Sequence, residues 1–92
     1  MRQESATRLA QDAIVWLAGH DTLLPIFLGS TGAGLDDFKN GLEDTDFMSS
    51  VLDFILLDDA WITEFAGANG VSPQEVMAAR HALPGGAPVH WT

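Results

Sequence analysis

Residues 46 to 59 read DFMSSVLDFILLDD. If Phe47 opens a helix, then Phe47, Met48, Val51, Leu52, Phe54 and Ile55 fall on one face, the side-chain spacing that a 3.6-residue period produces. Ser49, Ser50 and Asp53 fall opposite. That segregation predicts a central helix laid against a core. Asp46 before it and Asp58 and Asp59 after it are residues that favour caps and turns.

Helices are also predicted on either side. Ser5 to Ala18 places Ala6, Leu9, Ala10, Ala13, Ile14 and Leu17 on one side and stops at Gly19. A second helix follows His20 and Asp21, with Leu23, Leu24, Phe27 and Leu28 inward, Pro25 in its first turn and Gly32 at its end. Gly34 to Leu42 gives a short third helix, in which interior Gly41 costs about 1 kcal/mol relative to alanine. After the central helix, Asp59 opens a fifth, with Trp61, Ile62, Phe65 and Ala66 inward and Asn69-Gly70 as a left-handed stop. Ser72-Pro73-Gln74-Glu75 is a capping box with proline at the first helical position, and Val71 and Val76 are spaced as a hydrophobic staple. The sixth helix ends near Leu83, because Pro84-Gly85-Gly86 cannot continue it.

No run alternates as a strand does, so the predicted class is all-α, a compact bundle of five to six short helices. The expected domain is a single one over residues 1 to 86, with 87 to 92 as a mobile tail. Shifting the sequence by 38 residues aligns Asp21, Phe27, Gly29 and Gly32 with Asp59, Phe65, Gly67 and Gly70. The apolar positions follow: Leu9 meets Phe47, Ile14 meets Leu52, Leu17 meets Ile55 and Phe38 meets Val76. The reading is two three-helix pseudo-repeats, about 9 to 44 and 47 to 82. Two units are too few for a solenoid.

A chain of 92 residues can bury roughly 60 to 65% of its unfolded surface. Its 47% hydrophobic content sets it apart from disordered acidic chains. The absence of cysteine excludes disulfides and thiolate metal sites. The N-terminus lacks the apolar run of a signal peptide, and no run approaches the ~20 residues of a membrane span, so a cytoplasmic protein is expected. The formal charge is −9, with only Arg2, Arg8, Lys39 and Arg80 as cations. Such a chain repels a phosphate backbone and an anionic membrane surface, which argues against nucleic-acid and membrane partners. A basic protein would be attracted.

The motif Asp59-Ala-Trp-Ile-Thr-Glu-Phe-Ala-Gly-Ala-Asn-Gly, followed by Val-Ser-Pro-Gln-Glu-Val, resembles a bacterial family of short, acidic, helical proteins known as a domain of unknown function. The resemblance extends to Val51-Leu-Asp-Phe-Ile-Leu-Leu-Asp-Asp59 and to Ala82-Leu-Pro-Gly-Gly86, so it covers about Leu9 to Gly86. It implies an all-helical fold and a bacterial cytoplasmic setting. It implies no activity and no cofactor.

Chemical motifs are sparse. Gly29-Ser-Thr-Gly-Ala-Gly34 follows a helix, precedes Asp36 and Asp37, and so reads as a helix stop and turn, not as a phosphate loop. His20, His81 and His90 lack the spacing of metal ligands. The pairs Asp36-Asp37, Asp44-Asp46 and Asp58-Asp59 sit at helix starts, where carboxylates meet unpaired amides. No catalytic constellation and no metal site is expected. One contrast between the halves points elsewhere. The first carries Val15, Ile26 and Leu42 where the second carries Asp53, Glu64 and Arg80, residues expected to face solvent. Val15, Ile26 and Leu42, with Trp91 in the tail, are the candidate partner contacts. The expected function is a non-catalytic protein-interaction module, its partner another protein, a basic one in particular, or a second copy. The alternatives are a small-ligand carrier or enzyme with a pocket between the repeats near His20 and Asp59, and a homodimerising structural domain.

Overall fold

The computed structural model describes residues 1–83. The expected tail, with His90 and Trp91, lies outside the described residues. Six helices follow in order: α1 (Gln3–Ala18), α2 (Leu23–Thr31), α3 (Leu35–Gly41), α4 (Thr45–Ile55), α5 (Asp59–Asn69) and α6 (Pro73–Ala82). Among the described residues there is no strand, and the fold is an all-α bundle. No single helix there is long and apolar enough to cross a membrane.

Helix α1 is the axis. Its inward face is Ala6, Leu9, Ala10, Ala13, Ile14 and Leu17, all buried, and it packs chiefly along α4 and α6. The three alanines let those helices approach closely, and Ile14 and Leu17 fill the space between. Helix α4 returns the contact with Met48, Val51, Leu52, Phe54 and Ile55. Each large side chain so buried stabilises the fold by about 1.5–3 kcal/mol. Across this core runs a chain of edge-to-face rings, Phe38 to Phe47, Phe47 to Phe27 and Phe27 to Phe54, with Phe54 then stacked on Trp61 at 4.8 Å. Trp61 is therefore half-buried at the rim.

Two boundaries coincide at the 38-residue offset, since α3 and α6 begin at Leu35 and Pro73 and α2 and α5 end at Thr31 and Asn69, whereas α2 begins at Leu23 and α5 at Asp59, 36 residues apart. Gly32 and Gly70 close those ends with φ of 73° and 68°, the left-handed conformation that glycine adopts without strain. At α6 the Ser72 hydroxyl accepts from the Glu75 N–H, and the Glu75 carboxylate accepts from the Ser72 N–H. At α3 only the second bond exists, Gly34 N–H to Asp37 at 2.8 Å, because glycine has no side chain to return it.

Three local expectations change. Helix α4 begins at Thr45, and its cap is Asp44, not Asp46: the Asp44 carboxylate accepts from the Asp46 and Phe47 N–H groups. Ser49 is buried, because α4 is flanked by α1, α3, α5 and α6 and keeps little free surface. Gly41 is the last residue of α3, where a Cβ would lie 2.2 Å from the Phe47 ring. Close approach of α3 to α4 requires glycine there, so its helix-propensity cost is offset by tertiary packing.

Candidate functional site

The candidate contacts lie on three elements. Val15 is 63% exposed on the outer side of α1, Ile26 is 43% exposed on α2, and Leu42 is 37% exposed at the end of α3. The Gln11 side-chain amide donates to the Leu42 carbonyl at 2.7 Å and so ties the end of α3 to α1, the helix that carries Val15. Ile26 belongs to a different helix, one bent by 107° from α1, and the bond that holds Leu42 does not involve it.

In the second half the same positions carry charge, and that charge is paired. Asp53 and Arg80 form a two-pronged ion pair, Nε to Oδ1 at 2.5 Å and Nη2 to Oδ2 at 3.0 Å. Arg80 is only 8% exposed, although the sequence places it at a solvated position. Its stem is covered, and the fork of the guanidinium reaches the half-exposed Asp53 carboxylate, the geometry in which an arginine can be buried. Glu64, the counterpart of Ile26, accepts from His20 Nε2 at 2.6 Å and so ties α5 to the turn between α1 and α2. The first half thus has exposed apolar side chains where the second has an ion pair and a carboxylate bonded to a histidine.

His20 occupies its own niche. Its Nδ1 accepts from the Leu23 N–H at 3.1 Å, and its ring meets Trp16 edge-on with centroids 5.0 Å apart. Sequence spacing left this role invisible, since Glu64 is 44 residues away. Also missed were Leu35 and Leu57, 64% and 77% exposed. Leu57 follows the apolar run of α4 directly, and only the end of α4 at Ile55 turns it outward.

Two cavities stand out among the described residues. One, about 190 Å³, lies where α1 meets α5 and α6 and is lined by Arg8, Leu9, Asp12, Phe65, Asn69 and Glu75 among others. The second is an open groove of about 260 Å³ between the end of α2 and α4, with Phe54, Asp53 and Leu57 facing Ser30 and Thr31. Neither is lined by His20 or Asp59. Among the described residues no three histidine or carboxylate side chains converge as metal ligands do.

No curated protein and no solved structure matches the chain. A family does: the family described as Protein of unknown function (DUF3572) matches residues 3–86, which takes in all six helices. The chain belongs to the DUF3572 family.

Proposed function

We propose that the chain is a protein-interaction module without chemistry of its own, whose partner is a basic protein that meets the apolar side chains of the first half. One observation carries the reading. At equivalent positions the charges of the second half have partners within the molecule, Asp53 with Arg80 and Glu64 with His20 of the first half, whereas the first half leaves Val15, Ile26 and Leu42 exposed. An exposed apolar group gains about 25 cal/mol for each Å² that a partner covers. The charge of −9 supports a basic partner by steering its approach, and it disfavours nucleic acid and anionic membranes. Trp91 joins these contacts on the strength of the sequence alone, and a bacterial, cytoplasmic setting belongs to the same reading.

The test copies the second half onto the first. A tagged parent protein and its Val15→Asp, Ile26→Glu variant are used to capture partners from a cytoplasmic lysate at low and moderate salt. One protein retained by the parent and lost by the variant, at equal helical content, is the expected result. Capture that survives the double change removes Val15 and Ile26 from the contact. Sedimentation of both proteins separates a second copy from a foreign partner.

A second reading, a small-ligand carrier, draws on the cavity at the junction of the two halves, where Arg8 and Asn69 are placed among apolar walls. Shifts of the Arg8 and Asn69 NMR signals in a small-molecule screen would support it.

A further inference from the structure

We infer that His20 is a proton-sensitive cap, which holds the start of α2 only while its ring is neutral. The inference does not depend on the partner surface. Its basis is the donor and acceptor balance around one imidazole. A backbone N–H can only donate, so the Leu23 N–H at 3.1 Å requires Nδ1 to be bare. The proton of the neutral ring is then on Nε2, which faces the Glu64 carboxylate at 2.6 Å, a group that accepts it. The neighbouring contacts all fit this one tautomer.

His20 stands three residues before α2 and reaches its first residues. Its side chain bonds the N–H three residues on, and its own carbonyl accepts from the Leu24 N–H at 3.0 Å, the pattern of an N-terminal cap. The equivalent residue of the second half is Asp58, which caps α5 by accepting from the Ala60 N–H at 2.8 Å. One pseudo-repeat is therefore capped by a carboxylate and the other by an imidazole.

A second proton on the ring has to reside on Nδ1. It then points at the Leu23 N–H, donor against donor, and places a cation at the amide end of α2, where the helix dipole disfavours it. The other bond responds in the opposite sense, since imidazolium and the Glu64 carboxylate attract. The charged groups around the ring are Glu64 on α5 and Asp21 beside it in the chain; from α1 it meets the neutral ring of Trp16. Held by Glu64, the charged ring stays in place and releases the first turn of α2. The sign follows directly: the cap is complete with the neutral ring and is lost when the ring is protonated.

Two measurements test this. Ring ¹⁵N shifts of His20 at neutral pH report the tautomer directly, with the proton expected on Nε2; a proton on Nδ1 overturns the inference. Amide exchange is then followed across the range in which imidazoles exchange their proton, about pH 8 to about 5. After correction for the intrinsic pH dependence of exchange, the Leu23 amide should lose protection roughly fivefold, the usual worth of a cap, while the Ala60 amide holds. His20→Asn supplies a cap that does not titrate and should abolish the response. Unchanged protection of Leu23 in the parent, or an undiminished response in His20→Asn, overturns the inference.

Discussion

At position 41 the first half has a glycine against the ring of Phe47; at the equivalent position 79 the second half has an alanine that is fully buried. The same pairing of unlike solutions recurs at the surface, Val15 and Leu42 against Asp53 and Arg80, and at the helix starts, Gly34 against Ser72 and His20 against Asp58. The framework of three helices fixes where each residue stands but not how its neighbourhood is satisfied. In the second half polar groups find partners within the chain. In the first half close approach and open apolar surface take their place.

Exchanging residues between halves shows which differences the fold depends on. The largest effect is expected from Gly41→Ala. Alanine is the better helix former by about 1 kcal/mol, yet a Cβ meets several atoms of the Phe47 ring, so overpacking at or above the top of the usual range, about 3–4 kcal/mol, leaves a net cost of about 2–3 kcal/mol. A melting temperature lower by roughly 10 °C would show it, and a rise would mean that the Phe47 ring gives way freely. Next, Asp53→Val removes the partner of a buried arginine and should cost about 2 kcal/mol, less than a fully buried pair because Asp53 is half-exposed. Adding Arg80→Leu, which copies the first half, should recover most of that loss. If the double variant is no more stable than the single one in urea, the ion pair is not what holds Arg80.

The caps come third. Ser72→Ala should lower stability by about 1 kcal/mol. Gly34→Ser completes the capping box of α3 at a position with extended backbone and open space for a side chain, and should raise stability by about 0.5 kcal/mol. Equal changes of the same sign in thermal unfolding would deny that the two sites are counterparts. The smallest effect on folding belongs to Val15→Asp with Ile26→Glu, within about 0.5 kcal/mol of the parent, since both side chains are exposed. Its large effect is reserved for partner binding, which makes it the sharpest separation of surface from scaffold.

Where a feature depends on neighbours in sequence, the sequence carried it. The capping box of Ser72 and Glu75, the left-handed stops at Gly32 and Gly70 and the buried stripe of α1 are all set by residues within two turns of one another. Where a feature depends on a distant neighbour, it was illegible. Arg80 is buried because Asp53 is 27 residues away, Gly41 is required because α4 folds back onto α3, and His20 is oriented from α5. Of the candidate contacts, the exposure of Val15 and Ile26 followed from helix period, while the link from Leu42 to α1 needed the third dimension.

The central place of α1 has a consequence for how the protein is made. Its principal partners are α4 and α6, so α1 leaves the ribosome before either of the helices it packs against. Until Val76 and Ala79 have been synthesised, the stripe from Ala6 to Leu17 has half its seat and stays exposed to chaperones and to other nascent chains. The seat of α1 is completed only when α6 has followed, and a ribosome stalled in α5 would carry a chain whose core lacks Val76, Ala79 and Leu83.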